Sequence, residues 1–475
     1  MTIRQLWNQL PADAKLKDIH REIEFLAAIR EGEEQADQGK VIPHEQVKRE
    51  FASWFAHLAW GQGRASDIAL LFANTPPFSS FPDSPVRLSC GVVTDIKSQS
   101  IEQLQARFRE WQQPEYRVSQ MLAWLYGRHA ASWDAMTNLP KTLRDRLREN
   151  YSLQTLELAR KQGSRDTTQK FLWRLSDNAL IESVLIPANP ALYGEASDRH
   201  TLCVSTQVGC AYGCKFCASG LEGWKRNLRV DEIVEQVLAT ERWNEAELSK
   251  VTDSEHATRN TQQVSERLVN NLVIMGMGEP LANYDNLLAA LKILNAPWGG
   301  GIGARKITIS TSGLAPQIRK LADEPLQFRL AISLHGATDE TRNKIMPVNR
   351  KYPLAELTAA CEYYQQKKER MITLEYILIA GINDGLDQVK PLAQLARRLF
   401  AKVNLIPYNT VEDLQWERPA EAVSEAFLDA LEKQNVTATL RHEKGHDIDA
   451  ACGQLRLKTE RELSAKQTPV EINPT

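Results

Sequence analysis

A chain of 475 residues, 43% hydrophobic and 25% charged, has the composition of a soluble globular protein and is too long for one ordinary core, so two or three domains are expected. No stretch approaches the roughly 18 apolar residues of a membrane span, and Met1 to His20 lack the apolar centre of a secretory signal; the reading is a cytoplasmic protein with no membrane partner. A formal net charge of −2 excludes a uniformly basic surface, and seven cysteines, three of them clustered, point to metal or redox chemistry in a reducing compartment.

Residues 1–97 read as an N-terminal extension of unassigned role, mostly helical as far as Ala73, with Phe51, Trp54, Phe55, Leu58 and Trp60 at helical intervals. The run Thr75-Pro76-Pro77 through Pro82 then breaks the pattern as a linker does. Residues 98–155 predict a small helical accessory domain in which Trp111, Trp124, Tyr126, Trp133 and Met136 supply core rather than base-stacking platforms. Pro140, suited to a first helical turn, opens the basic helix Lys141 to Arg148, whose Arg144, Arg146 and Arg148 do not all share one face. From Lys97 to Lys170 there are 13 lysines and arginines against 8 acidic residues, an excess that fits a solvated helical surface as well as a phosphate-binding one.

Residues 156–201 read as a β-hairpin linker region, with alternating runs at Lys170 to Leu175 and Ile181 to Pro187 about the turn residues Asp177-Asn178. Alternation places Glu182 on the polar, exposed face. Residues 202–435 change rhythm: strands at Leu202 to Val208, Leu272 to Met275, Lys306 to Thr311, Arg329 to Leu334, Ile372 to Ala380 and Lys402 to Pro407 alternate with helices such as Val230 to Trp243, Tyr284 to Leu294, Leu354 to Gln366 and Val389 to Phe400. Six such units predict an α/β fold, a parallel sheet covered by helices in a partial, open (βα)6 barrel. The polar stretch Asn244 to Asn270 reads as a surface insertion, and residues 436–475 as a C-terminal segment with a flexible tail.

Chemistry concentrates at the ends of these strands, where parallel α/β folds hold their ligands. Cys210, Cys214 and Cys217 stand at C-x3-C-x2-C in one loop after the first strand. A closed zinc site wants four protein ligands, and no neighbouring cysteine or histidine completes one; a [4Fe-4S] cube held by three cysteines leaves one iron open for a ligand that is not protein. Met275 to Pro280, Ser310 to Gly313, Ser333 to Gly336 and Pro407 to Asn409 follow later strands. A ligand among them should carry an amine and a carboxylate for the open iron and hydroxyls for small polar groups; Gly276 and Gly278 permit close backbone approach and Glu279 can accept from an ammonium. The glycine run 299–303 lies after a helix and before a strand, the wrong order for a dinucleotide fingerprint.

Through Cys210, Cys214 and Cys217, with Phe216 before the last, the chain resembles the radical S-adenosylmethionine (SAM) superfamily. Through Leu202 to Cys210, Met275 to Pro280, Ser310 to Gly313 and Asp447 to Leu455 it resembles, more narrowly, the RlmN/Cfr family of RNA adenine methyltransferases, from about Ser98 to about Lys458. The resemblance implies one [4Fe-4S] cluster whose open iron binds SAM, cleaved to a 5′-deoxyadenosyl radical, with two SAM per turnover. It implies methylation of adenosine C2 in 23S ribosomal RNA, with transfer RNA a second candidate, and an electron donor such as flavodoxin. Residue by residue, Cys452 matches the cysteine that carries the methyl group, Cys203 the one that resolves the protein–RNA adduct by disulfide formation with Cys452, and Glu182 the proposed proton acceptor. Gly278, Glu279, Ser310, Ser333, Leu334, His335 and Asn409 match SAM contacts. Cys90 and Cys361 match nothing and read as structural. The chain departs from the family pattern in its extension before Ser98, in the 244–270 insertion and in Ala218-Ser219-Gly220 after the cysteines, which leaves substrate docking open. Two alternatives stand beside this reading: the C8-methylating branch, which shares all these cysteines, and a zinc-stabilised RNA-binding protein without catalysis.

Overall fold

A computed structural model of the chain describes residues 93–164, 167–187, 199–254, 267–411, 414–441 and 453–467. The expected extension up to residue 92, Cys90, residues 255–266 of the insertion, and Cys452 lie outside the described residues.

The small N-terminal unit packs three helices, α1 (Ile101–Glu110), α2 (Tyr116–Leu122) and α3 (Lys141–Asn150). α1 starts where the sequence supplies a capping box: Ser100 accepts from the Gln103 amide while the Gln103 side chain accepts from the Ser100 amide. α3 starts directly after Pro140. Trp111, Tyr126, Trp133 and Met136 are buried core, as expected, whereas Trp124 is half-buried with the Arg128 guanidinium over its ring. Arg144 and Arg148 both reach Asp134, and Arg148 also pairs with Asp145.

The chain then enters a ten-stranded sheet. Its antiparallel side is β1 (Glu157–Gly163), β2 (Gln169–Arg174) and β3 (Leu180–Pro187), with the expected hairpin turning at Asn178, whose φ is +65°. β3 pairs antiparallel with β4 (His200–Cys203). The predicted strand 202–208 breaks there. Ser205 leaves the sheet because its amide donates to the Gln236 side chain and its hydroxyl to the Glu182 carbonyl. The chain resumes as β5 (Gln207–Gly209), which forms a separate ribbon with β6 (Trp224–Asn227) and brackets the cysteine loop. α4 (Val230–Ser254) follows; it runs past Trp243, so the first part of the predicted insertion is helix.

From β4 onward the sheet is parallel, through β7 (Asn271–Ile274), β8 (Ile307–Thr311), β9 (Arg329–Ser333), β10 (Thr373–Leu378), β11 (Lys402–Pro407) and β12 (Ala438–Leu440). The six predicted units are present, and β12 adds a further parallel strand at the edge. Between them run α5 (Tyr284–Asn295), α6 (Ala315–Asp323), α7 (Asp339–Ile345), α8 (Leu354–Lys368), α9 (Val389–Arg398) and α10 (Glu421–Glu432). α11 (Gln454–Gln467) closes the described chain. No described helix is long and apolar enough to cross a membrane. Cys361 is fully buried on α8, in keeping with its structural reading.

A buried ion pair joins the helical unit to the barrel. Lys97, 1% exposed, lies 2.9 Å from Asp95 and 3.6 Å from Glu235 of α4, and donates to the Gln154 carbonyl at 2.6 Å. Removing the cation leaves the Asp95 carboxylate buried without a counter-charge, while Glu235 keeps its pairing with Arg242. Lys97→Ala should therefore cost about 3–5 kcal/mol, read as a lower midpoint in urea; an unchanged midpoint would show that the carboxylate finds another partner.

Candidate active site

A cavity of about 340 Å³ opens where the parallel strands end. Cys210, Cys214 and Cys217 form one wall together with Gly278 and Glu279. Ser310, Ser333, His335 and Asn409 line it from the ends of β8, β9 and β11, and Cys203 from the end of β4. Leu334 does not line it. Its side chain turns to the outer apolar layer with Leu357 and Cys361, and its backbone serves the rim instead.

Glycine is required at 276 and 278 for the chain's own packing. A Cβ on Gly276 would stand 2.6 Å from the Val204 carbonyl, and one on Gly278, at φ +101°, would meet the Gln207 side chain at 2.6 Å. The approach they permit is of strand to strand, which fixes the loop that carries Glu279. That carboxylate is fully enclosed, which pushes its pKa up, and it accepts from the Ser312 amide at 2.7 Å, the Thr311 hydroxyl at 2.8 Å and the Leu281 amide at 3.0 Å. Of roughly four acceptor positions on a carboxylate, one is left for a ligand ammonium.

His335 adopts φ +55° and accepts from the Ile377 amide through Nδ1 at 3.1 Å. Burial, with the nearby Arg342 charge, lowers its pKa to about 3. The imidazole is thus neutral, with its proton on Nε2, and acts as a donor there. Its ring meets Phe216 edge-on at 4.9 Å, locking it against the cysteine loop.

Burial raises the thiols of Cys210 and Cys214, Cys210 up to about 12, and the charge of Cys217 adds to the effect on both. Three thiolates here call for a compensating positive group. Three cysteines on one wall suit a cube, in which each thiolate has its own iron. Ser312 Oγ and Tyr408 OH, on residues of the cavity wall, are buried without a partner among the described residues, as a polar ligand such as SAM requires.

Glu182 departs from the alternation argument: it is 3% exposed, because α11 covers the face of β3 that the pattern assigns to solvent. Its carboxylate pairs with Lys170 Nζ at 3.0 Å and accepts from the amides of Gly453 at 2.6 Å and Arg456 at 2.7 Å. It anchors the N-terminus of α11, immediately after Cys452 in sequence. Gly453 sits at φ +84° with no room for a Cβ against Ser219. Arg342 was not legible as a site residue. Placed in an ordinary-looking charged helix, it is fully buried and donates to the carbonyls of Ser312, Ser333 and Leu334; burial lowers its pKa to about 10.

Comparisons with known proteins agree with this arrangement. A family model described as the Radical SAM superfamily matches residues 204–396, and one described as the ribosomal RNA large subunit methyltransferase N-terminal domain matches residues 94–153. The chain is 54% identical, over 78% of its length and 98% of the relative, to the probable dual-specificity RNA methyltransferase RlmN 3 of Opitutus terrae. It is 50% identical over the same shares to the corresponding protein of Akkermansia muciniphila. Among solved structures, a radical SAM methyltransferase from Sphaerobacter thermophilus is 40% identical with a TM-score of 0.67, over 76% of this chain and 98% of that one.

Replacing Cys210, Cys214 or Cys217 singly with alanine should abolish bound iron and acid-labile sulfide in anaerobically purified protein. Stoichiometric zinc in the unaltered protein would overturn the cluster assignment.

Proposed function

The chain belongs to the RlmN family of radical SAM RNA methyltransferases, and from that premise we propose that it methylates C2 of an adenosine in 23S ribosomal RNA, with transfer RNA a second substrate, through a methyl group carried on Cys452. The observation that supports this best is one cavity lined by the three clustered cysteines, by the rim groups that match SAM contacts and by Cys203. Adenine C2 is an amidine carbon without nucleophilic character, so transfer of a methyl cation fails there. Cys210, Cys214 and Cys217 would hold a [4Fe-4S] cluster, and such a cluster would supply the missing reactivity by one-electron reduction of SAM.

The chain's own residues do the rest. Glu279 and Asn409 hold the polar amino-acid end of SAM, and Ser310, Ser333 and the Nε2–H of neutral His335 offer hydrogen bonds within the cavity. Cys452 takes the methyl group from one SAM, and a second SAM serves the radical step, two per turnover. The Cys203 thiolate, on the cavity wall, would attack the Cys452 sulfur, so that an S–S bond forms as the S–C bond to the base breaks and the carbon takes the electron pair and a proton to become methyl; a thiol reductant then reopens the disulfide. Glu182 receives the proton leaving C2, which requires it to give up a hydrogen bond to α11 or its pairing with Lys170. A donor of the flavodoxin type would supply the electron.

Cys452→Ala should retain iron and sulfide but transfer no methyl group to RNA, with loss of signal of at least about 10³-fold, as expected when a covalent carrier is removed. Mass spectrometry of RNA methylated by the unaltered protein should give 2-methyladenosine; 8-methyladenosine would assign the chain to the other branch. Neutralising Arg144 and Arg148 together should weaken RNA binding and flatten its salt dependence by up to about two phosphate contacts, with SAM cleavage unchanged. Identical binding across a salt series would remove α3 from the RNA interface.

A further inference from the structure

Glu375 interrupts the otherwise apolar strand β10 and is 6% exposed. Its neighbours face away: Leu374 joins the outer apolar layer and Tyr376 stacks on Phe427. Glu375 points inward and lines the cavity. One oxygen, Oε2, accepts from Asn404 Nδ2 at 2.6 Å. Oε1 makes no hydrogen bond or ion pair among the described residues. Burial raises the pKa of the carboxyl, and the Asn404 hydrogen bond together with the charges of Arg441 and Lys402 offsets the cost of placing it there only in part.

The position belongs to a ladder. Ser333, Glu375, Asn404 and Thr439 stand in direct register on the adjacent strands β9, β10, β11 and β12. Thr439 donates to Asn404 Oδ1 at 3.3 Å, which orients the Asn404 amide toward Glu375. At the other end the Ser333 hydroxyl lies 3.2 Å from that of Ser310. An acceptor held this firmly and left open into the cavity asks for a ligand that brings O–H or N–H donors.

We propose that Glu375 is a SAM-binding residue whose free carboxyl oxygen receives the vicinal ribose hydroxyls of SAM beside Ser333, an inference that rests on the SAM site assigned above. A vicinal diol brings two donors, and carboxylates on strands of α/β folds bind ribose hydroxyls in this manner. The ribose of an adenosine inside an RNA chain is a poorer match. Its 3′ oxygen is esterified, so it brings one donor where a free vicinal diol brings two.

The test is equilibrium binding to the holoenzyme with its cluster oxidised, so that no cleavage occurs, using SAM and its 2′,3′-dideoxy analogue. The unaltered protein should prefer SAM by roughly tenfold to a hundredfold, the size expected for hydrogen bonds to a carboxyl group. Glu375→Ala and the isosteric Glu375→Gln should each shrink that preference to less than about threefold while retaining affinity for the analogue. Variants that lose affinity for both ligands equally and keep the preference would show a structural role and overturn the assignment, as would an unaltered protein that binds both ligands alike. An unaltered protein that binds neither ligand would overturn the SAM site itself.

Discussion

The rim of the cavity depends on one buried guanidinium. Arg342 is fully buried, and its two terminal nitrogens donate to carbonyls where β8 and β9 stop, those of Ser312, Ser333 and Leu334. Tying these three carbonyls to one planar group brings the two strand ends to a common level. Glu279 mirrors the device with opposite charge, drawing the Ser312 amide and the Thr311 hydroxyl toward the preceding loop. Ser312 is held from both sides, carbonyl to cation and amide to anion. The rim is thus fixed by charge-assisted hydrogen bonds before any ligand arrives, which is the condition for a site to orient rather than merely contain its substrate.

A second buried charge connects the two ends of the catalytic unit. Glu182, on β3, and Gly453, at the start of α11, are separated by 271 residues and joined by a 2.6 Å hydrogen bond. The same carboxylate is held by Lys170, itself part of the cavity wall. A group proposed to accept a proton during the reaction therefore also restrains the backbone beside the proposed methyl carrier. The two roles compete for the same lone pairs.

Much of this was legible in the sequence. The C-x3-C-x2-C loop, the strand rhythm and the clustering of polar residues after strands follow from local pattern, and the structure brings Cys210, Glu279, Ser310, Ser333, His335 and Asn409 to one cavity. The misreadings share a cause, which is that period-2 alternation says nothing of what covers a strand. Glu182 was assigned to solvent because the pattern cannot see α11, which arrives from the far end of the chain. The strand 202–208 read as continuous because the apolar residues continue through Val204, while the bonds that draw Ser205 away come from Gln236 and Glu182. Arg342 sits in a sequence indistinguishable from an exposed helix, and only tertiary packing buries it. Glu375 and Asn404 did leave a signal, polar residues at equivalent depth in adjacent apolar strands, but it becomes visible only when the register between strands is known.

The open sheet bears on the substrate. Its strand order runs from β1 to β12 without the two edges meeting, so the cavity is bounded on one side by the antiparallel strands β2 and β3, through Thr168, Lys170, Val184 and Ile186, instead of by further parallel units. A closed eightfold barrel admits ligands through its end. An open sheet does not impose that route. A nucleotide that remains attached to a polymer must keep its phosphodiester backbone outside while the base enters. The wall's apolar residues would then meet the base, and Lys170 cannot serve the phosphates, being fully buried against Glu182.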